Sequence, residues 1–216
     1  MELTQHARGV VPMDIAKELG EAGIACLLQL MTDAYIDLQA RGCITGCSPE
    51  DYITEEWYVH IQEKWRTRPA ISLIPIHQKQ DETKAKRRGR PPTIDFCFRH
   101  RFYKHSYFGA ECKLMDENNA DHLAAYIDAD KGIGRFTSGK YATFSSAGTM
   151  IGYVRTGSYR NVSNDLARAM RGLDGRPVLK KSMVLKDFNA LYQSRHKRRP
   201  PLTKFLCYHL LFAFEP

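Results

Sequence analysis

Apolar positions recur along this chain first at helical spacing. Every fourth residue is apolar between positions 53 and 65, at Ile53, Trp57, Ile61 and Trp65. This stripe predicts an amphipathic helix over about 49–66, and Ser48-Pro49 is a typical helix start. Upstream, residues 13–41 have similar spacing with Gly20 and Gly23 inside it, which predicts two helices or one helix with a break.

Strand-like patterns follow the second helix. The apolar run 70–76 predicts an internal strand, and two later segments alternate apolar with polar residues, which is typical of half-buried strands. Their apolar positions are Ile94, Phe96 and Phe98 in the first segment, and Ala110, Cys112 and Leu114 in the second. Helical spacing returns over about 119–131 and again near 167–171. A further strand is predicted at 148–154, and 202–214 is an apolar strand or helix.

The same alternation places three charged side chains on one face of two neighbouring strands. Asp95 points away from the apolar face of the first strand, and Glu111 and Lys113 point away from the apolar face of the second. Carboxylate oxygens suit Mg²⁺ or Mn²⁺, and a lysine beside such an ion can orient an attacking water. The alternative is an ordinary surface hairpin that carries a Glu-Lys pair.

Asp95 on one strand and Glu111-Cys112-Lys113 on the next resemble the PD-(D/E)xK nuclease superfamily. The resemblance covers about residues 48–155 and implies an α/β fold with a restriction-endonuclease-like α-β-β-β-α-β core, a mixed sheet flanked by helices. Residues 1–47 would then be an N-terminal helical extension, and 48–216 the nuclease domain. A narrower resemblance is to small nucleases of bacterial anti-phage defence, and it lies in the sequences of Phe108–Leu114 and of the segments 132–136 and 148–154.

The resemblance implies a metal site and catalytic roles. Asp95, Glu111 and Lys113 would be catalytic, and Asp95, Glu111 and the backbone carbonyl of Cys112 would ligate Mg²⁺ or Mn²⁺. A third carboxylate commonly comes from the first core helix, which offers Glu50, Glu55 and Glu56. Glu50 is preferred because it lies along the buried stripe. It could equally be an acid that complements the helix dipole.

Basic residues indicate a polyanionic partner. The chain has 32 Lys and Arg against 24 Asp and Glu, a net charge of +8. One cluster precedes Pro91-Pro92 and the Asp95 strand, and a second lies at 195–199. A solvated loop is the alternative for the first cluster. The residues that we predict to contact nucleic acid are Lys86, Arg87, Arg88, Arg90, His122, Arg135 and Lys140; Tyr141 is a further candidate.

Two further features of the sequence concern cellular location and the role of the cysteines. No run of 18 apolar residues and no secretory pattern occurs, so we expect a cytoplasmic protein without a membrane segment. Six scattered cysteines form no disulfide framework, and Cys43 and Cys47 lack a second pair of zinc ligands at suitable spacing.

We therefore expect a metal-dependent nuclease that acts on DNA, with RNA left open. Its expected partners are a second copy in a homodimer or a defence complex with a regulatory protein. Two other functions remain: a catalytically silent nucleic-acid-binding subunit, and an interaction module with a basic surface. Retention on DNA at moderate salt distinguishes the last of these from the first two.

Overall fold

A computed structural model describes residues 19–68, 71–80, 93–101 and 106–214. Within them the chain forms an α/β structure in which helices flank a seven-stranded mixed sheet. The elements in chain order are α1 (Glu21–Arg41), α2 (Glu50–Arg66), β1 (Ile74–Gln80), β2 (Thr93–Arg99), β3 (Tyr107–Leu114), α3 (Ala120–Ile127), α4 (Gly134–Thr137), β4 (Ala147–Val154), α5 (Tyr159–Met170), β5 (Lys180–Lys181), β6 (Leu191–His196) and β7 (Phe205–Ala213).

The sheet has the strand order β1-β2-β3-β4-β7-β6-β5. Strands β1, β2 and β3 pair antiparallel, β3, β4 and β7 pair parallel, and β6 and β5 extend the sheet antiparallel. Because β3 and β4 run parallel, their carboxyl ends meet at one edge of the sheet. The loops that follow these two strands are therefore neighbours.

Helices α1 and α2 cover one face of the sheet, and Trp57 of α2 lies at the centre of that layer. Its ring makes edge-on contacts with Phe96 and Phe212, at 5.2 Å between ring centroids in both cases. Its Nε1 donates to the carbonyl of Met31 in α1 at 3.1 Å. Burial of a tryptophan with its N–H satisfied joins both helices to the sheet.

Helices α3, α4 and α5 cover the opposite face. Their buried residues, Tyr126, Phe136 and Leu166 among them, pack with Met150 and Leu211 of the central strands in a second apolar cluster. In the described part of the chain, no helix is both long and apolar enough to cross a membrane. All six cysteines are free thiols.

The helices differ from the predicted ones mainly at their ends. In the described residues α1 is one helix, which passes through Gly23 and begins after Gly20. Helix α2 begins at Glu50 with Pro49 as its N-cap, because the hydroxyl of Ser48 accepts the N–H of Thr45 instead of capping the helix.

Two segments depart further from the sequence pattern. The strand expected at 70–76 runs instead from Ile74 to Gln80. The helix expected over 119–131 ends at Ile127, and Gly134 opens the separate short helix α4. A Cβ at Gly134 would overlap the backbone of Ala129, so the chain turns back on itself where only glycine fits.

Candidate functional site

The site begins where strands β2 and β3 separate. Phe96 pairs with Ala110, and within the described residues no pair of these two strands is formed beyond it. Beyond that pair, the carboxylate of Asp95 accepts a hydrogen bond from the backbone N–H of Cys112, with 2.6 Å between Oδ2 and the nitrogen. Ile94 lies in the cluster beneath α3 to α5, whereas Phe96 lies beneath α1 and α2. The predicted alternation of Ile94 with Phe96 on one face is therefore wrong at this position.

Glu111 lies on β3 beside the separation and is almost fully buried, with 1% of the side chain exposed. Its Oε1 accepts a hydrogen bond from Nη1 of Arg135 at 2.8 Å and lies 3.4 Å from Nζ of Lys113. Its Oε2 is buried and has no hydrogen-bond partner within the described residues. A buried carboxylate oxygen without a partner carries a large desolvation cost, so this atom is suited to accept a cation or a proton.

Lys113 lies two residues further along the same strand face. Its ammonium donates to Oε1 of Glu50 at 2.8 Å and to the backbone carbonyl of Cys112. The other oxygen of Glu50 accepts the N–H of Leu114 at 3.1 Å. Glu50, the first residue of α2, is thus fixed to β3 through both of its carboxylate oxygens.

An ion pair at the carboxyl ends of β3 and β4 holds the start of α2 near β3. Arg155, directly after β4, donates from Nε to both oxygens of Asp116 at 3.4 and 3.1 Å and from Nη2 to Oδ2. Its Nη1 donates to the carbonyl of Ser48 at 2.8 Å. No sequence pattern predicted a role in the site for Asp116 or Arg155. The signal that could have found them is their position, since each follows a buried strand closely.

Arg135 of α4 closes the site from the other side. Its Nη1 contacts the hydroxyl of Tyr141 as well as Glu111, and that hydroxyl donates to the carbonyl of Thr93 at the start of β2. Its Nε donates to the carbonyl of Asp130. The sequence predicted a substrate contact for Arg135; the structure places it, partly exposed, against the buried carboxylate.

Burial and mutual repulsion shape the ionisation of the acidic residues. Burial, and next to it the charge of Asp95, raises the pKa of Glu111 to about 8. Burial likewise raises the pKa of Asp95. Burial opposes the charge of Lys113, but the carboxylates of Glu111, Asp95 and Glu50 outweigh it and raise the pKa of that ammonium. A second cation near Asp95 and Glu111 would favour their ionised forms.

The donor atoms suit a hard divalent ion. Asp95, Glu111 and the carbonyl of Cys112 supply oxygens, and the unpartnered Oε2 of Glu111 is available for coordination. Lys113 engages Glu50 and also donates to the carbonyl of Cys112. Over the described ranges, no group of three or more His, Cys, Asp or Glu residues is arranged to hold a metal. The residues fit a site with two carboxylates, of the kind that Mg²⁺ completes with water and substrate phosphate.

The other predicted residues lie elsewhere or outside the described ranges. His122 packs against the loop before α3, with Nδ1 3.5 Å from Oδ2 of Asp116. Lys140 lies 3.6 Å from Asp130 in a partly exposed ion pair. The predicted basic arm, Lys86, Arg87, Arg88 and Arg90, lies outside the described residues.

The site is therefore a compact cluster of alternating charge. Carboxylates from β2, β3 and α2 meet cations from β3 and α4. Comparison with protein-family models, curated proteins and solved structures finds no match to this chain.

Proposed function

We propose that this protein is a divalent-metal-dependent nuclease of the PD-(D/E)xK type that hydrolyses phosphodiester bonds of DNA. The observation that carries the proposal is the convergence of Asp95, Glu111 and Lys113 at the separation of two strands, with one buried oxygen of Glu111 unpartnered among the described residues. Such a site combines metal ligands with a cation that can act on a water or a phosphate.

The surrounding elements support the assignment. The chain order of the elements is α2, β1, β2, β3, α3, α4 and β4, and the residues of the site come from α2, β2, β3 and α4. Helix α2 contributes Glu50, and α4 contributes Arg135, a residue type that binds phosphate well. The net charge of +8 favours a polyanionic substrate.

In the proposed mechanism, Asp95, Glu111 and the carbonyl of Cys112 would hold Mg²⁺ or Mn²⁺. When bound, such an ion polarises the scissile phosphate and lowers the pKa of a coordinated water. Lys113 orients the nucleophilic water, and Glu50 fixes the position of its ammonium. Arg135 balances negative charge that develops on the phosphate oxygens during attack.

We further propose a role in bacterial anti-phage defence, in the cytoplasm, with DNA as substrate. The basis is the resemblance of Phe108–Leu114 and the segments 132–136 and 148–154 to small defence nucleases. An indiscriminate nuclease requires restraint, so a regulatory protein or a second copy of the chain is the expected partner. Two-fold symmetry would allow a dimer to cut both strands of a duplex.

The decisive experiment incubates the wild-type protein with linear, circular and single-stranded DNA and with RNA, with Mg²⁺, with Mn²⁺ and with EDTA. We expect metal-dependent cleavage of DNA that is lost in Asp95→Asn and in Glu111→Gln. Cleavage by either variant at the wild-type rate, or the absence of cleavage of every substrate by the wild type, contradicts the proposal.

One observation favours a second function, that of a catalytically silent nucleic-acid-binding subunit. Lys113 forms an ion pair with Glu50, Arg135 occupies one oxygen of Glu111, and the described residues include no three-ligand metal group. This alternative predicts DNA binding that EDTA does not alter and no cleavage with any divalent ion. The same incubations, combined with a binding measurement, separate the two functions.

A further inference from the structure

A second group of cations lies at the end of β6, beside α4. There a cleft of about 520 Å³ opens between α4, the loop after α5 and the end of β6. Its polar lining consists of Thr137, Ser138, Asp174, His196, Lys197 and Arg199. We call it the β6 cleft.

The β6 cleft carries uncompensated positive charge. Lys197 and Arg199 are exposed, and neither forms an ion pair with any residue that the structure describes. Asp174 is the single carboxylate of the lining, against these two cations. The hydroxyls of Thr137 and Ser138 add possible donors. Cations next to hydroxyls in a concave surface are the usual environment of a bound phosphate group.

A buried arginine holds the cation-bearing segment in place. Arg198 lies between Lys197 and Arg199 and is 8% exposed. Its guanidinium donates to the carbonyls of Thr203 at 2.7 Å, Ser145 at 2.8 Å and Ala142 at 3.1 Å. Because Arg198 is turned into the protein, its neighbours on either side project outward. The basic cluster predicted from the sequence at 195–199 thus divides into one structural arginine and cations that face solvent.

A chain of buried hydrogen bonds fixes His196 at the inner wall of the β6 cleft. Nε2 of His196 lies 2.7 Å from the hydroxyl of Ser194, which lies 2.7 Å from Nε2 of His209. Nδ1 of His209 is 3.0 Å from the hydroxyl of Tyr126 in α3. Burial lowers the pKa of His196 to about 4, so the ring is neutral at pH 7. The wall is therefore preorganised and contributes no charge of its own.

The β6 cleft is structurally linked to the candidate active site. The four-residue helix α4 carries Arg135, which contacts Glu111, and Thr137, which lines the β6 cleft. Helix α4 therefore contributes a side chain to both places.

We propose that the β6 cleft is a second phosphate-binding subsite, in which Lys197 and Arg199 hold the backbone of the nucleic-acid strand that is cut at the Asp95–Glu111 site. The inference rests on the proposed function for its substrate class. It assigns these two cations to substrate positioning, because the β6 cleft lacks the paired carboxylates that hydrolysis requires.

The test compares wild type with the double variant Lys197→Gln/Arg199→Gln. Affinity for a short DNA duplex is measured by fluorescence anisotropy in EDTA over a series of salt concentrations, so that no cleavage intervenes. The double variant should bind at least about tenfold more weakly at low salt. Its plot of log affinity against log salt should be less steep by about one to two units, one for each phosphate that the variant no longer neutralises.

The matched control is Lys180→Gln/Lys186→Gln, which removes the same charge at exposed positions outside the β6 cleft. Equal effects in both double variants would show that the loss of DNA affinity reflects net charge alone, and this would overturn the subsite. Wild-type affinity in the Lys197→Gln/Arg199→Gln protein would also overturn it, without affecting the nuclease proposal.

Binding that depends on the β6 cleft, in a protein that cuts nothing with Mg²⁺ or Mn²⁺, would support the subsite and contradict the nuclease. A wild-type protein that does not bind DNA at all would contradict both. Cleavage at Asp95–Glu111 and binding at the β6 cleft can thus fail separately.

Discussion

Lys113 of β3 and Glu50 of α2 form an ion pair, Nζ to Oε1 2.8 Å, between positions 63 residues apart in the chain. Both groups are largely shielded, with 13% and 29% of their side chains exposed. The pair fixes the ammonium at the point where the carboxylates of Asp95 and Glu111 converge. A lysine held in this way has little freedom, which suits a group that must orient a water.

Lys113→Ala should retain the fold and lose DNA cleavage. The substitution removes the cation that the mechanism assigns to the attacking water, and the loss of one such group lowers rates by about 10²–10³-fold. The measurement is the initial rate of plasmid cleavage with Mg²⁺, alongside far-UV circular dichroism. Lys180→Ala, at an exposed position of β5, is the control. A folded Lys113→Ala protein that cuts at the wild-type rate would remove Lys113 from the mechanism.

Glu50→Gln should reduce both cleavage and stability. The neutral amide loses the charge attraction to Lys113, while one oxygen can still accept the N–H of Leu114. A decrease of about 1 kcal/mol in the free energy of unfolding is expected from one weakened charge-assisted hydrogen bond. Urea denaturation and cleavage assays check this, with Glu55→Gln, an exposed neighbour on α2, as the control. If Glu55→Gln had the larger effect on cleavage, the choice among the acids of α2 would be wrong.

Tyr141→Phe should weaken cleavage without removing any charged group. The hydroxyl of Tyr141 connects Arg135 to the carbonyl of Thr93, so its removal takes away one of the contacts that position the guanidinium beside Glu111. We expect a stability decrease of about 1–2 kcal/mol and a lower kcat. Tyr192→Phe, which removes a half-buried hydroxyl of β6, is the control. Equal kinetics in the two variants would exclude a positioning role for Tyr141.

In the metal-free protein, the contribution of Glu111 to stability should fall as the pH rises from about 4.5 to about 8. Glu111 keeps its proton to about pH 8 in the folded state, whereas the carboxyl of an unfolded chain loses it near 4.5. At this carboxyl the unfolded state binds fewer protons over that window, so the Glu111 contribution to the free energy of unfolding falls. Urea titrations in EDTA compare wild type with Glu111→Gln, which lacks this proton. A constant difference between the two proteins across the window would contradict the assignment.

Gly134→Ala should impair cleavage although it changes no charge. Its Cβ would overlap the backbone of Ala129, and relief of that overlap must move α4 and with it Arg135. Overpacking of this kind costs about 1–3 kcal/mol. Thermal unfolding and cleavage rates test it against Gly172→Ala, whose nearest neighbour, the carbonyl of Ala169, is 3.3 Å away. A Gly134→Ala protein with wild-type kinetics would show that α4 can move without affecting the site.

The sequence pattern predicted helices and strands correctly where residues that are neighbours in sequence determine them. The stripe from Ile53 to Trp65 predicted α2 to within a residue at its start, and the alternation around Asp95 and Glu111 predicted β2 and β3. It was wrong for Ile94, which departs from the side of Phe96 where the strands separate. It also failed to predict β6, because Gln193 and Arg195 are polar and basic. This strand lies next to the edge strand β5 of the sheet.

By itself the sequence determined the two strands that carry Asp95, Glu111 and Lys113, because alternating apolar residues mark most of each strand. Only the tertiary structure decided that Glu50, rather than Glu55 or Glu56, meets Lys113, and that Arg135 meets Glu111. Those contacts depend on where α2 starts and where α4 turns back. Hydrogen bonds to residues distant in the chain hold both segments, from Arg155 to the carbonyl of Ser48 and from Tyr141 to that of Thr93, and no local periodicity encodes them.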